Sequence, residues 1–130
     1  MRLRSVTVAL ILLSLTAGCL GFDQRSDVPD ADKRLELQND WNRNVTVDVE
    51  VIRNATNATV HEGSYEIPPN STRSVYNTAE ENPDGAEWFT FVLTARNTTE
   101  QLRIRTSTCY GDPTLEIGTD GTVSAYHGVC

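Results

Sequence analysis

The sequence predicts an all-β fold, an antiparallel β-sandwich of about seven strands. Three observations carry this reading. Val45, Val47, Val49 and Val51 alternate with Thr46, Asp48 and Glu50, which places four valines on one face and polar groups on the other. Phe89, Phe91, Leu93 and Ala95 alternate in the same way with Trp88, Thr90, Val92 and Thr94. Turn-forming clusters recur roughly every 8–12 residues, and no helical periodicity follows residue 18.

The 130-residue chain begins with Arg2 and Arg4, followed by an apolar run from Val6 to Leu15. That run is too short for a membrane-spanning helix, which needs roughly 20 residues, and has the length of a signal-peptide core. Small residues, Ala17 and Gly18, then stand directly before Cys19. The stretch Leu15-Thr16-Ala17-Gly18-Cys19 resembles the lipobox of prokaryotic lipoproteins, although Thr16 occupies the position where that pattern has Leu. The resemblance implies a signal-peptide helix over 1–18, cleavage before Cys19 and a thioether-linked lipid on Cys19. No Arg-Arg pair is present in the leader, so the general secretory route is expected.

Residues 19–32 are rich in Gly, Asp, Ser and Pro with few apolar side chains, and read as a flexible tether. The domain is expected over 33–130. Leu35 and Leu37 start a period of two, and Asn39 to Arg43 form a turn. The valine strand follows, with a turn from Asn54 to Thr59. Val60 to Ile67 is a weaker strand stopped by Pro68-Pro69-Asn70, and Arg73 to Tyr76 a short one. Thr78 to Gly85 reads as a polar loop. Glu87 to Ala95 is the most apolar strand, with its phenylalanine face assigned to the core. Asn97-Thr98-Thr99 turns the chain into Gln101 to Thr108, with Leu102 and Ile104 inward. Asp120-Gly121 reads as a two-residue hairpin loop between Leu115–Gly118 and Thr122–Tyr126, which puts Leu115 opposite Tyr126. Strands of this number and spacing predict an immunoglobulin-like topology. Asp84-Gly85-Ala86-Glu87-Trp88 also resembles the tyrosine corner of immunoglobulin-like domains, which implies the opposite, Trp88, face of that strand in the core.

An 18-residue leader removes two of the eleven basic residues and no acids, leaving nine against eighteen and a net charge of −9. Such a chain repels polyphosphates, so nucleic acid is not an expected partner. Lys33 is the sole lysine against ten arginines. This acidic, lysine-poor, threonine-rich composition resembles that of extracellular proteins of halophilic archaea.

Three cysteines are an odd number. Lipidation of Cys19 leaves Cys109 and Cys130, and export places them in an oxidising compartment, so a Cys109–Cys130 disulfide is expected. The sequons at Asn44, Asn54, Asn57, Asn70 and Asn97 are five, where chance placement gives roughly two, and they mark candidate N-glycosylation sites. Trp41, on a turn, is a candidate for stacking on a ligand or for a lid over the core. His61 and His127 lack the methionine and free cysteine of a blue-copper site and are expected to face solvent on strands. Glu80, Glu81 and Asp84 are expected to be a solvated acidic run. No nucleophile–base arrangement, zinc motif or phosphate loop is present.

The function expected is therefore non-catalytic, with no cofactor. The reading is a lipid-anchored β-sandwich on the outer face of the cell membrane, binding or displaying a protein or glycan partner. A small extracytoplasmic metal or redox carrier, or a solute-binding accessory of a transporter, are the alternatives.

Overall fold

The computed structural model describes residues 27–130. The expected leader, Cys19 and the first part of the expected tether lie outside the described residues. Eight strands form two four-stranded sheets, one ordered β4-β1-β7-β8 and the other β3-β2-β5-β6. The strands are β1 (Arg34–Asn39), β2 (Val45–Arg53), β3 (Ala58–Ile67), β4 (Ser71–Asn77), β5 (Trp88–Ala95), β6 (Thr98–Arg105), β7 (Thr114–Ile117) and β8 (Val123–Tyr126). Between β4 and β5 lies a single 3-10 turn, Thr78–Glu81, capped by Asn77, whose side chain accepts from the Ala79 N–H.

The two alternating patterns carry the core. Val47, Val51, Phe89, Phe91 and Leu93 are fully buried on the inner face of one sheet, against Leu35, Leu37, Leu115 and Ile117 of the other. The phenylalanine face of β5 is thus the buried one, and Trp88 stays half-exposed on the outer face. Each such valine or leucine removed from water stabilises by about 1.5–3 kcal/mol, which explains why register follows the apolar pattern.

Three features depart from the expectation. Strand β1 pairs with β7 in parallel, so that sheet is mixed. The last hairpin has a three-residue loop, Thr119-Asp120-Gly121, and pairs Leu115 with Ala125 rather than Tyr126. The Gly121 N–H donates to the Gly118 carbonyl, the Asp120 carboxylate accepts from the Thr122 N–H, and Gly121 takes a φ of 82°. A turn followed by a left-handed glycine closes one residue wider than a two-residue loop, and this shifts the register by one. Finally, residues 27–32, assigned to the tether by composition, lie against the domain. Pro29 bridges Ser107, and the Asp30 N–H donates to the Thr106 carbonyl. Proline is tolerated there because the segment is a sheet margin, where its missing donor costs nothing.

Val47 is fully buried and Asp48 exposed, although they are chain neighbours. Val47→Asp is expected to destabilise by several kcal/mol, and Asp48→Val by no more than about 0.5, in chemical denaturation. Equal losses would refute the register.

Candidate functional site

The strand directions sort the loops onto two poles. At the proximal pole the described chain begins, and the C-terminus returns. At the distal pole lie the β1–β2 loop, the β3–β4 turn, the β5–β6 turn and the β7–β8 hairpin.

The proximal pole is a seam. The Thr108 N–H donates to the Val28 carbonyl at 2.8 Å, and Asp27 pairs with Arg105. Lys33 is 4% exposed, and its ammonium donates to Asp30 at 3.1 Å and to the Tyr110 carbonyl at 2.6 Å. A buried ammonium needs such partners, because stripping its water otherwise costs several kcal/mol. Cys109 and Cys130 are joined, with their Cα atoms 4.9 Å apart. The Gly111 N–H donates to the Gly128 carbonyl at 2.8 Å, and a Cβ on Gly111 would lie 3.1 Å from the Gly128 nitrogen, a close approach that glycine eases. The expected pair is therefore present.

The distal pole is organised by Asn39, which is fully buried. Its amide nitrogen donates to the carbonyls of Arg43, Ile67 and Pro68, and its oxygen accepts from the Trp41 N–H. Trp41 packs partly buried against the core, with the Arg96 guanidinium 4.0 Å and that of Arg43 5.1 Å from its ring centroid. Arg96 and Asn97 form the β5–β6 turn with φ of 49° and 61°. The strain of a positive φ at Arg96 is held by its stacking on Trp41 and its hydrogen bond to the Gly121 carbonyl. Trp41 thus covers this end of the core.

His61 corrects an expectation. It faces inward from β3, with its Nε2 2.7 Å from the Tyr65 hydroxyl and its ring stacked 4.8 Å from Tyr76. Gly63 leaves room for the Tyr65 side chain, since a Cβ there would lie 2.8 Å from the Tyr65 hydroxyl oxygen. Burial pushes the Tyr76 hydroxyl well above the ordinary tyrosine range, and Glu81, its acceptor at 3.2 Å, adds to the shift. His127 is half-buried beyond β8, beside Tyr110. The two histidines stand on opposite sides of the sandwich, where β3 faces β4 and β6 faces β8. Among the described residues, no group of three or more His, Cys, Asp or Glu is placed to hold a metal ion. Glu81 is engaged as described, while Glu80 and Asp84 are exposed.

All five sequon asparagines are exposed. Asn44, Asn70 and Asn97 crown the distal pole; Asn54 and Asn57 lie at the proximal end of the β2–β3 hairpin. The Asn44 amide nitrogen donates to Glu66 at 2.8 Å, and the Asn54 oxygen accepts from the Thr90 hydroxyl at 3.0 Å.

The outer face of the β3-β2-β5-β6 sheet has a concavity beside Trp88 that the sequence did not announce. This recess of about 340 Å³ is lined by Asn54, Ala55, Ala86, Glu87, Trp88 and Arg103. The Arg103 guanidinium lies 4.6 Å from the Trp88 ring centroid, and Tyr110 meets Trp88 edge-on at 5.4 Å. Glu87 is held in a two-pronged pair with Arg53 at 2.9 and 2.5 Å. The Arg53 hydrogen bond draws the Glu87 carboxyl below its usual range, against burial, with help from the Asp84 N–H. The signal available in sequence was an indole at an outward position of the most apolar strand. Among the described residues, no helix is long and apolar enough to cross a membrane. Comparison with protein-family models, with curated proteins and with solved structures finds no match to this chain.

Two outcomes follow from these contacts. Lys33→Ala is expected to destabilise the domain by about 2 kcal/mol, since it leaves the Tyr110 carbonyl without its charged donor. Hydrogen exchange should then accelerate at residues 27–33 and 107–111 while the β2–β5 ladder stays protected; uniform protection would contradict the seam. Glu87 has a folded pKa below its unfolded one, so its contribution is full above about pH 4.5 and is lost as pH falls through the folded value. In acid titrations Glu87→Gln should flatten this limb of the stability curve. An unchanged acid limb would mean that the Arg53 pair does not govern it.

Proposed function

We propose that the protein is a non-catalytic, lipid-anchored module that presents its β-sandwich on the outer face of the cell membrane. The observation that supports this best is the Ala17-Gly18-Cys19 stretch at the end of a short apolar leader. The proximal seam fits the reading, because it joins the start of the described chain to a disulfide-held strand pair. Only seven residues, 20–26, separate the expected lipidated cysteine from that seam. Fully extended, the stretch from Cys19 to Asp27 reaches about 28 Å at most, so an anchor at Cys19 keeps the proximal pole near the lipid.

The charge distribution is consistent with a surface module. The proximal pole carries Asp27, Asp30, Asp32, Glu80, Glu81, Asp84 and Asp112. Lys33, Arg34, Arg53 and Arg105 are paired with acids at this pole, so it offers no free basic patch to anionic headgroups, and the distal pole and the lateral faces are left for a protein or glycan partner. At molar salt the Debye length is about 3 Å, which removes most of the self-repulsion of this acidic surface and suits the halophilic character of the composition.

Full-length protein expressed in an export-competent host should partition with membranes, and Cys19→Ser protein should be recovered in the soluble fraction. One acyl chain gives marginal binding, so a two-chain lipid on Cys19 is expected by mass spectrometry. Retention of Cys19→Ser protein in the membrane fraction would refute the anchor.

A further inference from the structure

Asn54 is both a sequon asparagine and a wall of the Trp88 recess. Its N–H donates to the Trp88 carbonyl at 3.0 Å, which sets Asn54, the first residue of the β2–β3 turn, beside Trp88. Its side-chain oxygen is fixed by the Thr90 hydroxyl at 3.0 Å. That bond leaves the amide nitrogen, the atom that bears an N-linked sugar, turned away from Thr90. Beside it lie two alanine methyls, the indole of Trp88 and the Arg103 guanidinium. This is the chemistry that holds a sugar: an apolar floor for the C–H face and a cationic donor for the hydroxyls. At about 340 Å³ the recess is at the small end of ligand sites, which run from roughly 300 to 1,000 Å³.

We propose that Asn54 carries an N-linked glycan and that its first sugar residues pack into this recess against Trp88. The modification forms a bond between the Asn54 amide nitrogen and the anomeric carbon of a lipid-phosphate-linked sugar donor. The anomeric carbon–oxygen bond breaks, the lipid phosphate leaves with the electron pair, and one amide proton passes to the base of the transferring enzyme. The Thr90 hydrogen bond uses only the amide oxygen and survives the reaction. Among the described residues, no other sequon asparagine lines this recess. Asn57, Asn70 and Asn97 sit at loop tips with φ of 55°, 53° and 61°, and Asn44 reaches across to Glu66. The inference requires export but not the lipid on Cys19, so it fails separately from the anchor reading.

The test uses full-length protein made in cells that glycosylate Asn-x-Thr sequons, beside the same protein from cells that do not. Glycopeptide mass spectrometry should find Asn54 occupied. Asn54→Gln should lower the melting temperature by several degrees more in glycosylated than in unglycosylated protein, which separates the glycan from the lost Thr90 bond. This extra shift should shrink in a Trp88→Ala background. Arg103→Ala, an exposed change over the same ring, supplies the second background should Trp88→Ala fail to fold. An unmodified Asn54 in protein glycosylated elsewhere, or an extra shift undiminished in the background used, would overturn the proposal. So would a free monosaccharide binding the recess of protein in which Asn54 is found unmodified, since the sugar would then come from outside the chain.

Discussion

A buried ammonium fixes how this chain enters its fold. Lys33 sits at 4% exposure between Asp30 and the Tyr110 carbonyl, and no other lysine exists in the sequence. A charge at that depth needs partners, because stripped of water and unpaired it costs several kcal/mol. The ammonium ties Asp30 to the Tyr110 loop, and beside it Val28 lies against Thr108 and Pro29 against Ser107. The same loop is closed from the other side by Cys130 and the Gly111–Gly128 contact. Both ends of the described chain are thereby held at one pole, and the opposite pole, knitted by Asn39 and Trp41, becomes the distal end.

The described basic side chains show how an acidic surface is managed. Lys33, Arg34, Arg53 and Arg105 are in ion pairs. Arg43 and Arg96 lie over Trp41, Arg73 over Tyr65 and Arg103 over Trp88. Each cation thus organises a loop or a sheet margin rather than forming a patch for anionic partners. Stacked guanidinium groups also rely on dispersion and ring polarisation, which salt weakens less than it weakens an exposed ion pair.

What could be read from the sequence was whatever one strand decides alone. The valines of β2 and the phenylalanines of β5 announced their buried faces because alternation needs no partner. The Cys109–Cys130 pair was legible through simple parity once Cys19 was set aside. What escaped depends on residues distant in sequence. The parallel β1–β7 pairing joins Leu37 to Leu115, and no local pattern encodes it. His61 turns inward because it pairs with Val51 on the inner face of the sheet, a register invisible to a polarity count. The register of the last hairpin hung on whether Asp120 would accept from the Thr122 N–H. The Trp88 recess needs Asn54 from the β2–β3 turn, Trp88 from β5 and Arg103 from β6, so it exists only once the sheet is assembled.

The polarity of the sandwich relative to the membrane is the most direct test. Single fluorophores at Asp84, on the proximal pole, and at Asp120, on the distal hairpin, would be compared in full-length protein bound to vesicles carrying a headgroup quencher. Strong quenching at position 84 and weak quenching at position 120 is the expected result. Equal quenching, or stronger quenching at position 120, would contradict a domain held by its proximal seam.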